Sequence, residues 1–483
     1  MNYKMISYYI GRILLIEAFL LALPAVCAII YGEDTTLSFA LTIAMLTVTG
    51  LIAARKKPQK TSIYAKEGYV IVALTWILMS LFGALPFYIS GHISSFTDAF
   101  FETVSGFTTT GSTILQNIEA MPKSLLFWRS FTHWIGGMGI LVFVIAILPK
   151  TESSSMHVMR AEVPGPTVGK LVSKLRASAR ILYGIYCALT AVQVIMLLAG
   201  GMPLFDSLVN SFATAGTGGF AVLNNSIEGY NSVYSEMVIA VFMLIFGVNF
   251  NLYYMFLMKQ GRQAIKNEEL RWYIGIVAAS VLIIAVSLFT TKHDGFAESF
   301  RYAFFQVSSI ITTTGFSTTN FDTWPVIAKF VLVFLMFIGA CAGSTGGGIK
   351  VSRLVILVKS GLRDIKKSIN PRSIETVKID KRTVEEPVVK SVSVFFATYM
   401  LVMAGAILIV SLDGFDLETT ATSVIACLGN IGPGLGAVGP YGNFADFSML
   451  SKLVLSFAML AGRLELIPML MLFSPYAWAK KYS

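Results

Sequence analysis

Thr108-Thr109-Thr110-Gly111, Gly216-Thr217-Gly218-Gly219, Thr312-Thr313-Thr314-Gly315 and Gly429-Asn430-Ile431-Gly432 are four versions of one signature. Each is a small-residue run closing on glycine, each follows a short amphipathic segment, and each lies between two apolar stretches of membrane length. A chain that repeats helix, re-entrant loop and helix four times can close a pore around a fourfold pseudo-axis by itself. Backbone carbonyls would then line the path.

Composition supports that reading. Of 483 residues 55% are apolar and only 13% charged, which excludes a soluble domain built around one core. Apolar stretches at 37–54, 70–90, 181–198, 233–258, 272–290 and 391–412 are long enough, as helices, to cross the roughly 30 Å hydrocarbon layer. Ten-residue alternation is absent, so these are helices and not barrel strands. The stretch 6–30 is too long for a signal-peptide core and lacks a small-residue cleavage pattern, so it reads as a retained helix. Cys27, Cys187, Cys341 and Cys427 fall in membrane segments without CxxC spacing and read as small apolar fillers.

Charge placement sets the orientation. About 30 of the 37 Lys and Arg residues lie in the tails or in the connectors 55–66, 150–180, 259–271 and 350–390, which the positive-inside rule puts in the cytoplasm with both termini. Acidic residues concentrate in the other loops, at Glu33, Asp34, Asp98, Asp206, Glu228, Asp413, Asp416 and Asp446. The net charge of +10 is therefore a topological signal and does not imply a nucleic-acid partner.

Placing Gly111, Gly219, Gly315 and Gly432 in register aligns Ala99-Phe100-Phe101-Glu102 with Ala303-Phe304-Phe305-Gln306, with Asn210 and Ser423 at the Glu102 position. Beyond the glycine, Phe220 falls on Phe316 and Asn224 on Asn320. The segments before the glycines are too short to span and too polar for lipid, so they must dip in from outside and return. The expected fold is an all-α membrane protein with an N-terminal helix pair, 1–54, and four parallel pore units at 55–150, 151–260, 261–368 and 369–483. The dips begin after spans at 70–90, 181–198, 272–290 and 391–412. They return as spans from 125–148, 233–258, 325 onward and 447–473.

A dehydrated monovalent cation needs several oxygens at once, and charged ligands would hold it too tightly for passage. Glycine lets carbonyls turn to a common axis, while threonine and other small side chains keep the path open. Short helices entering from outside aim their negative ends at the centre. None of the four runs carries a carboxylate, which argues against a calcium-type ring. Small residues also pack membrane helices closely, but four runs in register at matching positions argue for a shared role.

These runs, with Cys341-Ala342-Gly343-Ser344-Thr345-Gly346-Gly347-Gly348-Ile349-Lys350 and Gly462-Arg463-Leu464-Glu465, resemble the Trk/Ktr/HKT potassium transporters over essentially the whole chain. The extra N-terminal pair is similar to the TrkH type of bacterial membrane subunit. The resemblance implies K+ as the transported ion, because the first-run glycine, here Gly111, is serine in some sodium-permeable members. It implies an intramembrane gating loop at Gly343, Ser344, Thr345, Gly346, Gly347 and Gly348, a homodimer in the bacterial plasma membrane, and a TrkA-like cytosolic nucleotide-binding ring as partner. No nucleotide is expected on this chain itself. Ile349 separates Gly348 from Lys350, so the phosphate-loop pattern is missing.

Arg463 lies in an apolar helix, where a charge needs water, a carboxylate or carbonyls. Either a structural pairing or a position beneath the filter, repelling cations in the closed state, would satisfy it. Glu465, two residues on, faces another side. The basic connectors 350–390 and 150–180 offer a docking surface for the ring, or a face for anionic membrane lipid. His133, Trp134, Gly136, Gly137 and Gly139 read as close packing, since no second ligand accompanies the histidine. An ion-coupled symporter is the alternative function. No Ser/His/Asp group, HExxH or paired acids suggest an enzyme.

Overall fold

The computed structural model describes residues 2–56, 65–139, 175–292 and 295–478. Its described residues are helical apart from loops and one two-stranded hairpin, Lys378–Ile379 with Arg382–Thr383. Among the described residues six helices are long and apolar enough to cross a membrane, seven if one bent pair counts as a span. Their outer faces carry exposed apolar side chains, such as Phe19, Phe330, Leu401 and Leu408, which lipid would solvate.

Tyr3–Leu20, continued by Ala22–Tyr31, packs against Thr36–Ala54. The backbones meet where Gly11 faces Gly50, so closely that a Cβ on Gly11 would sit 2.7 Å from the Gly50 carbonyl oxygen. Four long helices or helix pairs follow: Ala65–Gly83 with Leu85–Ile89, Leu175–Ala199, Glu268–Lys292 and Glu386–Val410.

Each leads into a short helix, namely Phe96–Phe107, Leu204–Gly216, Phe296–Ile311 and Leu417–Gly429. The longest has 16 residues, about 24 Å at 1.5 Å per residue, and cannot span. Every one has an acidic residue in its first turn, Asp98, Asp206, Glu298 or Glu418, and no basic residue in its last. The acids complement the positive helix ends, and the negative ends stay unneutralised.

The return helices differ most from the sequence expectation. Residues 233–258 are not one span but two helices, Val233–Phe246 and Phe250–Leu257, bent by 88°. Gly247 weakens the helix there, and Asn249 starts a new one by accepting a hydrogen bond from the Asn251 N–H at 2.9 Å. The fourth return, expected to run through 447–473, breaks between Met449–Arg463 and Ile467–Phe473. Glu465 and Leu466 take positive φ there, and Pro468 opens the next helix. In the third, Val326–Ile338 stops at Gly339 and helix resumes at Val351–Ile369. The first return is Lys123–Gly137, and the part expected at 140–148 lies outside the described residues, as does most of the connector 150–180.

Candidate ion-conduction site

Each short helix ends in the same turn. The second residue of each run is left-handed: Thr109 (φ 54°), Thr217 (55°), Thr313 (60°) and Asn430 (55°). Their N–H groups reach back three residues, to the carbonyls of Gly106, Thr214, Ile310 and Cys427, at 3.0–3.3 Å. The next N–H groups, of Thr110, Gly218, Thr314 and Ile431, reach back five, to Ser105, Ala213, Ser309 and Ala426, at 2.8–2.9 Å. This double bond pattern is the Schellman cap, which usually places glycine at the left-handed position. The closing glycines are left-handed again, at φ 85°, 76°, 88° and 97° for Gly111, Gly219, Gly315 and Gly432. Alternating hands turn successive carbonyls toward one side of the run.

The runs abut in a closed order. A Cβ on Gly111 would lie 2.0 Å from the Gly218 carbonyl oxygen, one on Gly219 2.0 Å from that of Thr314, one on Gly315 2.0 Å from that of Ile431, and one on Gly432 2.9 Å from that of Thr110. First meets second, second third, third fourth, and fourth first. All four glycines line one cavity of about 100 Å3 together with Asn224, Pro433 and Tyr441. Glycine is required on two counts, positive φ and a neighbouring carbonyl where a side chain would stand.

Side chains set the spacing behind the ring. Thr108 and Thr312 donate from Oγ1 to the carbonyls of Val104 and Ser308, each at 2.6 Å, and share a hydrogen bond with the hydroxyls of Thr110 and Thr314, each at 2.8 Å. The second run departs from threonine because His133 fills the space. A Cβ on Gly216 would sit 2.2 Å from the His133 carbonyl oxygen and one on Gly218 2.1 Å from its Nδ1. The His133 ring stacks on Phe220 with centroids 4.2 Å apart. In the fourth run Asn430 Nδ2 donates to Thr110 Oγ1 at 3.0 Å and to the Met459 carbonyl at 2.9 Å, tying run to run and run to return helix.

Glu102, Asn210, Gln306 and Ser423, aligned in the sequence, are all buried in the short helices. Glu102 accepts from Arg129 Nε at 2.6 Å, from Thr113 Oγ1 at 2.9 Å and from the Ile114 N–H at 2.9 Å. Arg129 also donates to the Ala221 carbonyl at 3.1 Å and lies 3.6 Å over the Phe220 ring. This buried pair thus ties the first run's exit to the second's. The sequence reading did not single out Arg129, although an arginine in a return helix is the same signal that marked Arg463.

Residues 339–350 form a non-helical stretch against the first residues of the third and fourth runs. A Cβ on Gly346 would meet the Thr312 carbonyl oxygen at 2.9 Å, and one on Gly347 that of Gly429 at 2.6 Å. The Gly347 N–H donates to Thr313 Oγ1 at 2.6 Å, so the loop is bonded to the third run itself. Lys350 Nζ, buried, donates to the Gly346 carbonyl.

The bend in the second return helix explains the loop's other contacts. Carbonyls freed there take the Cys341 N–H (on Gly247, 3.0 Å) and Thr345 Oγ1 (on Phe246, 3.2 Å), while the Phe250 N–H donates to the Gly343 carbonyl at 3.0 Å. Arg463 donates from one guanidinium nitrogen to the Thr345 carbonyl at 2.8 Å and from another to the carbonyls of Gly136 and, at 3.0 Å, Gly137. It therefore bridges the loop, the first return helix and its own helix. Glu465 points elsewhere and pairs with Arg353 at 2.6 Å. Ser344 closes a local turn, its Oγ donating to the Cys341 carbonyl at 2.6 Å.

The profile of the family described as TrkH, cation transport protein, matches residues 34–481. The Trk system potassium uptake protein TrkH of Salmonella typhimurium is 36% identical over 483 residues, 99% of this chain and 100% of its own length. The Trk system potassium uptake protein TrkG of Escherichia coli is 31% identical, covering 98% of each chain. The crystal structure of the potassium transporter TrkH from Vibrio parahaemolyticus matches with a TM-score of 0.90 and 33% identity, over 99% of this chain and 100% of that one. On both sequence and fold, the chain belongs to the TrkH family of cation transport proteins.

Proposed function

We propose that this protein is a potassium uptake protein that passes ions as a channel does, through the ring made by residues 108–111, 216–219, 312–315 and 429–432. One observation carries the reading: four runs of uncharged main-chain oxygens abut in cyclic order around one cavity. Carbonyl oxygens suit a dehydrated monovalent cation, and potassium is the ion in the relatives' names.

Loop 343–348 is the gate. Its position against the inner ends of two runs and its bond to Arg463 support a closed arrangement. The guanidinium both fixes Thr345 and adds positive charge next to the ion path. Opening must break these bonds, and the force comes from a TrkA-like cytosolic ring on which nucleotide acts. The subunit works as a homodimer in the bacterial plasma membrane, with basic connectors inside.

Reconstituted protein tests this reading through tracer flux of potassium, rubidium and sodium, with and without the cytosolic ring. Potassium and rubidium should pass in preference to sodium, and the ring with nucleotide should raise the flux. Transport that requires a co-transported proton or sodium ion would favour the symporter instead.

A further inference from the structure

A buried carboxylate that plays no part in the ring holds both ends of the loop. Glu269, 8% exposed in the first turn of Glu268–Lys292, accepts the Ala342 N–H at 2.7 Å and the Ser352 N–H at 3.1 Å on the same oxygen, Oε1. Ala342 precedes the glycine-rich stretch, and Ser352 lies in the first turn of the helix that follows it. The second bond meets one of the unsatisfied N–H groups of that helix start, where a negative charge is also favoured by the helix dipole. With both stumps on one oxygen, residues 343–351 form a closed bight whose ends cannot part without breaking a charge-assisted hydrogen bond.

The adjacent residue connects this clamp to the cytoplasmic surface. Glu268 donates its N–H to Asp380 Oδ1 at 2.7 Å, and the Asp380 N–H returns a bond to Glu268 Oε2 at 3.1 Å. Asn267 Nδ2 adds a third bond to Asp380 Oδ2 at 2.9 Å. Asp380 and Lys381 form the two-residue tip of the hairpin, both at positive φ (50° and 63°), the geometry of a tight, stiff turn. Val377 and Ile379 root the hairpin in a small apolar cluster with Ile356, Val389 and Val392. Lys359 ties the assembly together, bonding Glu268 and, at 2.7 Å, the Lys378 carbonyl. The tip is exposed and caps the helix whose next side chain holds the loop.

Taking the loop at 343–348 to be the gate, as above, we propose that Glu269 is the positioning residue that latches it shut, and that the hairpin tip at Asp380 is the handle that releases it. A cytosolic partner that lifts the tip removes the cap from the first turn of Glu268–Lys292. Glu269 then shifts off one or both stumps, and the bight opens beneath the ring. Opening breaks the Gly347 N–H bond to Thr313 Oγ1 but leaves the Schellman bonds that set the ring's carbonyls, and with them ion selectivity, in place.

The test measures tracer rubidium flux through full-length protein in vesicles without any cytosolic partner. The variants are Glu269→Ala, Glu269→Gln, Asp380→Ala and a deletion of 344–347. Both the deletion and Glu269→Ala should raise flux about tenfold or more, because two charge-assisted bonds are lost in the second. Glu269→Gln, whose amide oxygen still accepts from both stumps, should retain most of the low flux. Asp380→Ala should raise it by about threefold, and the rubidium-to-sodium ratio should stay at the wild-type value in every point variant. Should Glu269→Ala not assemble, Glu269→Asp, too short to reach both stumps, carries the same expectation.

If the deletion raises flux and Glu269→Ala does not, the latch is wrong and the gate stands. If neither changes flux, the gate reading falls and takes the latch with it. A changed rubidium-to-sodium ratio in Glu269→Ala would also overturn the latch, since the residue would then be acting on the ring.

Discussion

Three β-branched residues, Thr109, Thr217 and Thr313, occupy a backbone conformation that costs an L-residue about 1–2 kcal/mol. The Schellman bonds and the neighbouring runs hold them there, so the strain is set by the ring and not by local preference. Gly315 and Gly432 share the demand on φ and differ in how closely a neighbouring carbonyl stands. Both need positive φ, but an added Cβ meets a carbonyl oxygen at 2.0 Å at Gly315 and only at 2.9 Å at Gly432. Gly315→Ala should therefore reduce rubidium uptake at matched expression more than tenfold, while Gly432→Ala, whose added Cβ also meets a backbone carbonyl but less closely, should lose less. Equal losses would show that φ alone matters. Behind the ring, Glu102→Ala leaves the buried Arg129 without its carboxylate, a loss of about 3–5 kcal/mol, and should lower the thermal midpoint in detergent by far more than Ser423→Ala at the aligned position. The closing glycines were legible in the sequence because their spacing recurs. The left-handed residues before them were not, since threonine carries no such preference and only the assembled ring imposes it. Glu269 was equally hidden, because a carboxylate at the start of a span reads as an interfacial residue.

At the scale of elements, the informative feature is that return helices break where the ring and the loop 339–350 take up backbone groups. The break at Gly247–Asn249 supplies carbonyls to Cys341 and Thr345, and the break at 464–466 lets Glu465 reach Arg353 while Arg463 faces the loop. Hydropathy read 233–258 and 447–473 as single spans because it counts apolar residues and is blind to hydrogen-bond continuity. The signals were present all the same, as a glycine two residues before an N-capping asparagine in one case and Pro468 in the other. The interruption in the third return was legible, because the density of glycine in 343–348 is incompatible with helix. Arg463 tests whether these breaks converge on one device. Arg463→Ala removes its bonds to Thr345, Gly136 and Gly137, and should raise rubidium flux without the cytosolic partner about tenfold. Arg463→Lys, a point charge without the planar fork, should fall between. Unchanged flux in Arg463→Ala would exclude the residue from gating.

For the molecule as a whole, the order of elements along the chain places four negative helix ends and four runs of main-chain oxygens around one cavity. That an all-α membrane protein was encoded here could be read from composition and span length. How the runs meet could not, because cyclic contact joins residues as far apart as Thr110 and Gly432. The most direct test is to locate the ion. Crystals grown in rubidium and in sodium can be compared by anomalous scattering at the rubidium edge. The account predicts a rubidium peak on the common axis, between the carbonyl oxygens of Thr110, Gly218, Thr314 and Ile431, and its loss when sodium replaces rubidium. Rubidium bound only away from that axis, in protein that transports it, would contradict the account.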